Sequence, residues 1–315
     1  MKKFLLIAFV TLITGGLWSY HSYPALGHLL YTASMAGEAS IYGFKERRVD
    51  IGELEMSLYQ GGNPEQPTLL MLHGYSADKN VWLRFAKHFV DDYHIIIPDM
   101  AGHGDTAFVS GGDYSITAQS RRLQGLLDAL NINQVHIIGN SMGGFISADF
   151  SLSYPERVLT TGLVDPAGVN SPEPSTMQKL LAEGRNPFLV EKRDQFREFY
   201  AMTMAKPPWM PGVVLDAMAE DYQQRRTELA EIFNDFHSTA LLEPRLANLR
   251  SPALLLWGSE DQLIHVSSVD TWRAAIPTLE ITVWEGIGHM PMLEIPAESA
   301  ARYQQFLTKY SESAQ

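Results

Sequence analysis

Three side chains in this sequence have the types and settings that nucleophilic catalysis needs: Ser141, Asp261 and His289. Ser141 lies within Gly139-Asn140-Ser141-Met142-Gly143-Gly144, which follows the apolar run Val135–Ile138 and opens the helix-like stretch Phe145–Tyr154. A strand–turn–helix setting of this kind is what a nucleophile elbow requires. The hydroxyl sits on a strained tight turn, and neighbours without a Cβ let strand and helix approach. A glycine-rich helix start can also bind phosphate, but this one lacks the lysine and the spacing of a P-loop. A serine hydroxyl needs a base. Of ten histidines the best placed is His289, in Gly286-Ile287-Gly288-His289-Met290-Pro291, directly after the last apolar run. An acid must then fix the histidine tautomer and stabilise the imidazolium. Asp261 sits just past the run Ala253–Trp257, and Asp165 follows the run Val158–Val164, so two carboxyls compete for that role.

An oxyanion needs two backbone donors. One is expected from Met142, directly after the nucleophile, and the other from Tyr75 in His73-Gly74-Tyr75, the loop after Thr68–Leu72. His73 precedes the nucleophile and is read as shaping that loop. His103, in Gly102-His103-Gly104, is read as a turn residue near the mouth of the site.

The elements that must position these residues follow from the rhythm of the chain. Two strand-like runs lie around Arg47–Ile51 and Leu54–Tyr59, closed by the turn Gly61-Gly62-Asn63-Pro64. Short, nearly continuous apolar runs follow at Thr68–Leu72, Ile95–Ile97, Val135–Ile138, Val158–Val164, Ala253–Trp257 and Ile281–Trp284. Parallel strands covered on both faces read this way. Helical stretches at Val81–Val90, Ile116–Leu130, Phe145–Tyr154, Ser267–Ala275 and Ala297–Lys309 alternate with them, which predicts an α/β doubly wound, mostly parallel sheet. From about Asn170 to Arg250 no strand signal appears, and helix-like charged stretches alternate with Pro-rich turns such as Pro207-Pro208-Trp209-Met210-Pro211. The expected division is a signal anchor over 1–24, a connector over 25–46, core over 47–169, a helical cap over 170–250 and core again over 251–315.

These motifs together resemble the α/β-hydrolase fold. They are His73-Gly74-Tyr75, Pro98-Asp99-Met100-Ala101-Gly102-His103-Gly104, the GNSMGG elbow, Asp165-Pro166-Ala167-Gly168 and Gly288-His289. More closely, the chain resembles membrane-anchored monoacylglycerol lipases and related cold-adapted bacterial lipases, from about Arg47 to the C-terminus. The chain order Ser, Asp, His is that of α/β-hydrolases. The Gly-x-x-Asp turn matches the family and favours Asp261 over Asp165. The resemblance implies ester hydrolysis of monoacylglycerols or short-to-medium acyl esters through an acyl-enzyme, with no metal or organic cofactor. Two other functions remain open on this fold: carbon–carbon bond hydrolysis of aromatic ring-cleavage products, and a non-catalytic binding protein. The former class usually has a glycine-rich loop after His-Gly, whereas this chain has Tyr75-Ser76-Ala77-Asp78-Lys79; the latter tends to lose triad members.

Composition narrows partners and compartment. With 36 acidic against 24 basic residues the net charge is -12, which repels nucleic-acid phosphates and anionic headgroups. Membrane attachment must therefore come from apolar surface. The chain of 315 residues contains no cysteine, which removes disulfides, thiolate sites and a lipid-bearing cysteine. Lys2 and Lys3 precede an uncharged run from Phe4 to Trp18, continued past Tyr20 and Tyr23 without a clean cleavage site. That pattern predicts a bacterial inner-membrane anchor with the catalytic domain in the periplasm; the alternative is a form secreted after signal cleavage.

Overall fold

The computed structural model of the chain describes residues 2–311, with side chains from Tyr23 to Tyr310. The apolar runs become strands: β1 (Lys45–Asp50), β2 (Glu55–Gly61), β3 (Thr68–Leu72), β4 (His94–Pro98), β5 (Val135–Asn140), β6 (Val158–Val164), β7 (Ala253–Gly258) and β8 (Glu280–Trp284). They form one sheet in the order β1-β2-β4-β3-β5-β6-β7-β8. β2 runs antiparallel to both of its neighbours, and all pairs from β4 onward are parallel. Because side chains alternate across a strand, Leu70, Leu72, Ile96 and Ile137 enter one core while Leu69, Met71, Ile95 and Ile138 enter the other. Burying each such side chain contributes roughly 1.5–3 kcal/mol, and β3, β4, β5 and β7 are buried along their whole length. The charged β1 is exposed at five of its six positions and closes one edge of the sheet, a place where charge discourages further pairing.

Helices α1 (Lys2–Ile41), α2 (Leu83–Ala86), α3 (Ile116–Ala129), α4 (Met142–Ser153), α10 (Ser268–Ala275), α11 (Pro291–Glu294) and α12 (Pro296–Ser311) flank or precede the strands. Between β6 and β7 the chain is helical, with α5 (Thr176–Ala182), α6 (Arg193–Thr203), α7 (Gly212–Gln224), α8 (Arg226–His237) and α9 (Glu243–Leu246). Ser115 starts α3 by accepting a hydrogen bond from the Ala118 amide, and Ser175 starts α5 within a capping box.

The expected helix over Val81–Val90 does not form as one element. A 3₁₀ turn at Lys79–Trp82 runs into the single turn of α2, and His88 and Phe89 then donate to carbonyls three residues back. The apolar spacing there serves packing, since Trp82, Phe85 and Phe89 are all fully buried. The stretch 25–46 is helical to Ile41, because α1 continues through Pro24, and β1 begins at Lys45. Packing explains the continuation. Gly27 lies so close to α7 that a Cβ would sit 2.1 Å from the Val213 carbonyl oxygen. His28 meets Glu220 at 3.1 Å and Asp221 at 3.6 Å. Of the segment read as an anchor, residues 1–24, only Tyr23 and Pro24 have described side chains, so the apolar and basic side chains on which that reading rests lie outside what is described. Among the described residues no helix is long and apolar enough to cross a membrane.

Candidate active site

Ser141 stands between the last residue of β5 and the first of α4, with φ 57° and ψ -118°. That left-handed conformation is unfavourable for a residue with a Cβ, so the surroundings must enforce it. They do so by close approach. A Cβ on Gly139 would lie 2.1 Å from the Gly143 carbonyl oxygen, and one on Gly143 would lie 2.3 Å from that of Leu72. The Ser141 amide donates to the Val164 carbonyl at 3.0 Å, and its carbonyl accepts from Phe145 and Ala167. The nucleophile turn is thus clamped between β3, β6 and α4.

His289 is buried and its Nδ1 meets Asp261 Oδ2 at 2.7 Å. The other carboxylate oxygen of Asp261 accepts from the amides of Leu263 at 2.8 Å and Ile264 at 3.0 Å. Three donors thus converge on this one carboxylate. The amide of His289 donates to the Thr203 carbonyl, and that of Gly288 donates to Glu294 Oε1, so the loop is held from two sides. Asn140 was not singled out from sequence, yet it ties the site together: its Nδ2 donates to the His289 carbonyl at 3.0 Å and to Val164 at 3.2 Å. Only its place beside the serine in the elbow hinted at this.

The other acid, Asp165, is fully buried at the end of β6 and also has a positive φ, 43°. Its Oδ1 accepts from the Gly258 amide at 2.9 Å, whereas its Oδ2 has no hydrogen-bond partner. Burial, and next to it the charge of Asp261, push its carboxyl well above the usual carboxylate range. Polar atoms of Asp165, Asp261 and His289 all lie within 4.8 Å of one another, a set of donors that suits a metal by type. At 2.7 Å, however, the Asp261–His289 contact is a hydrogen bond, too short to have an ion bridging it.

The loop expected to supply the second oxyanion donor lies against the serine, since a Cβ on Gly74 would be 3.1 Å from Ser141 Cβ. Tyr75 N–H is in this loop, and Met142 N–H, at the first position of α4, has no partner within the helix. His73 is buried with both ring nitrogens on backbone groups, the Gly74 carbonyl at 2.8 Å and the Met100 amide at 3.0 Å. Burial lowers its pKa and lowers that of His103 further, so neither is placed to charge. The loop's far end is fixed by Lys79, whose ammonium meets Asp99 at 2.6 Å and Asp105 at 2.5 Å. Burial alone would lower the lysine pKa; the two carboxylates outweigh it and raise it.

Ser141, His289, Gly74 and Tyr75 open into one cavity of about 230 Å³. Several methionines and aromatics between β6 and β7 line it, among them Phe188, Phe199, Met204, Met210 and Met218. Met177 packs in the main core instead, and Trp209 is 87% exposed. Three wall residues come from α1: Tyr31, Met35 and Glu38, the last paired with Arg84 at 2.7 Å. The sequence reading treated this stretch as a connector. At i, i+4 and i+7 the three share one helix face, the only sequence signal that pointed inward.

The family profile described as alpha/beta hydrolase fold matches residues 67–296. Lipase 1 of Psychrobacter immobilis is 32% identical over 256 residues, 80% of each chain. Monoacylglycerol lipase ABHD6 of Bos taurus is 27% identical over 261 residues, 79% of this chain and 77% of its own. The crystal structure of a membrane phospholipase A, described as a novel bacterial virulence factor, superposes with a TM-score of 0.88 at 32% identity. That match covers 99% of both chains, α1 included.

Proposed function

The chain belongs to the α/β-hydrolase family, and on that premise we propose that it cleaves carboxylic esters, monoacylglycerols or short-to-medium acyl esters, through an acyl-enzyme on Ser141. A lipase-like hydrolase is what its relatives establish. The observation that supports the finer reading is His289, held by Asp261 at 2.7 Å, opening with Ser141 into one cavity.

The proposed reaction runs in two steps. His289 takes the Ser141 proton as the hydroxyl oxygen attacks the ester carbonyl, and the charged Asp261 stabilises the imidazolium. The amides of Met142 and Tyr75 hold the oxyanion. His289 then gives its proton to the departing alcohol, and water, deprotonated by the same imidazole, releases the acid.

The cavity walls support the substrate class. Phe188, Phe199, Met204 and Met218 make an adaptable apolar side suited to an acyl chain. Tyr31, Asp78, Asn80 and the Glu38–Arg84 pair make a polar side suited to a hydroxylated alcohol. The match along the whole chain to a membrane phospholipase A favours a second reading, removal of an acyl chain from a phospholipid. We also place the chain at the bacterial inner membrane through residues 1–24, a reading supported by Lys2, Lys3 and the uncharged run after them.

The test is a fluorophosphonate label followed by kcat/KM for monoolein, triolein and dioleoyl phosphatidylethanolamine in the same detergent. Labelling at Ser141 with monoolein preferred supports the first reading. Preference for the phospholipid supports the second. No label, or cleavage of vinylogous diketones alone, overturns both.

A further inference from the structure

Two buried carboxyls stand beside one histidine, and only one of them is satisfied as an anion. Asp261 receives three donors: the amides of Leu263 and Ile264 on Oδ1 and His289 on Oδ2. Asp165 receives one, the Gly258 amide, and its Oδ2 is buried without a partner. Among the described residues, the charged groups that act most strongly on Asp165 are Asp261 and Glu294, with His289 within 4.8 Å, and no lysine or arginine is among these. Two carboxylates this close, without a cation, are held together by a proton that one of them keeps. Donor number decides which one: the anion goes where three donors point, and the proton goes to the carboxyl with one.

We propose that Asp165 is held as a neutral carboxylic acid whose Oδ2–H donates to the Asp261 carboxylate, which makes it a positioning residue for the Asp261–His289 pair. The proposal rests on the serine-hydrolase reading for its kinetic consequences only. Three further observations support it. The Asp165 backbone is pinned by its own amide, which donates to Leu256 at 2.9 Å, and by Gly258, so the carboxyl has little freedom to turn away. Its φ of 43° is a conformation that a residue with a Cβ rarely adopts, and strain of this kind persists where the surroundings fix a side chain. Burial and Asp261 both act to keep the proton on it. A neutral acid donating to a neighbouring anion is a known way to hold and tune a catalytic group. Here it spreads the charge of Asp261 and fixes the rotation of its carboxylate, and hence of the imidazole.

The experiment uses the full-length protein in detergent with Asp165→Asn and Asp165→Leu. Asparagine keeps a donor at the Oδ2 position, and leucine keeps volume without one. Asp165→Asn should hold kcat within about threefold of wild type, while Asp165→Leu should lose about tenfold in kcat with KM little changed. In Asp165→Leu the acid limb of kcat/KM should move to higher pH, because an undispersed Asp261 charge stabilises the imidazolium more strongly. Independently of activity, the infrared difference spectrum of wild type minus Asp165→Asn at neutral pH should contain the C=O band of a protonated carboxylic acid. That band decides the matter even where Asp165→Leu fails to fold or the ester assay fails. A loss of about a thousandfold or more in Asp165→Asn would show that Asp165 is the charged acid. That loss, equal kinetics in the two variants, or no protonated-acid band would each overturn the proposal.

Discussion

Replacing Gly258 by alanine should disable the site without touching any residue that meets substrate. A Cβ at Gly258 would lie 2.0 Å from the Gly288 carbonyl oxygen, 2.4 Å from that of Ile287 and 2.7 Å from the Ile287 carbonyl carbon. All three are backbone atoms and cannot rotate aside. Restoring ordinary contact requires the end of β7 and the 286–289 loop to separate by about 1 Å. Asp261 follows one side of that contact and His289 the other, so their 2.7 Å hydrogen bond must lengthen or bend. A misplacement of about 1 Å typically costs about a hundredfold in rate, or roughly 2.7 kcal/mol of barrier. The substrate walls come mainly from other segments, so kcat should fall by about that factor with KM within roughly threefold. The assay is kcat and KM on a p-nitrophenyl ester, with the fluorophosphonate labelling rate as an alcohol-independent check. Gly37→Ala is the control, since nothing lies within 4 Å of a Cβ there. If Gly258→Ala kept wild-type kcat within threefold and an unchanged Tm, the claim that this contact sets the Asp–His distance would be refuted.

Ser141→Ala should abolish labelling and lower esterase kcat by at least about a thousandfold; residual activity above a few per cent, measured on protein purified away from host esterases, would remove Ser141 from its role. Lys79→Met should lower stability by about 3–5 kcal/mol, because the buried Asp99 loses the cation that compensates it; urea denaturation checks this, and a loss under 1 kcal/mol would mean the network relaxes. Burial, then the charge of Asp99, pushes the Asp78 carboxyl up to about 6. The folded chain therefore holds this proton to higher pH than the unfolded chain does, and stability is lost as pH rises between about 4 and 6. Asp78→Asn should remove that loss, so its advantage in unfolding free energy, read by urea denaturation, should grow over this window and level off above it at about 1–2 kcal/mol once solvent in the cavity is allowed for. An advantage independent of pH would contradict the assignment.

Much of the scaffold was legible because its strands are buried on both faces. Thr68–Leu72 and Val158–Val164 are short, nearly continuous apolar runs, and they coincide with β3 and β6. The elbow was legible for a different reason: its glycines are needed by atoms 2.1 to 2.3 Å away, and no other residue fits. What escaped was packing that leaves no local pattern. Trp82, Phe85 and Phe89 have helical spacing, yet the chain there makes one helical turn and then bonds three residues back. Asn140 bonds a carbonyl 149 residues away, which no local pattern reports. The two acids could be ranked from the turn that carries Asp261, but not their unequal share of donors, which depends on amides folded around them.

Tyr31, Met35 and Glu38 lie outside residues 67–296, the span the family profile recognises, yet they line the same cavity as Ser141. The reacting residues and part of the cavity wall thus come from different stretches of the chain. The elbow and the Asp–His pair sit inside the shared span, so the reaction type transfers between relatives with the alignment. Part of the wall that meets the substrate does not transfer with it. Substitutions on one face of α1 are therefore expected to alter what the cavity accepts while the hydrolytic machinery drifts under its own separate constraints, and two relatives with matching profiles can differ along a helix outside the profile's span.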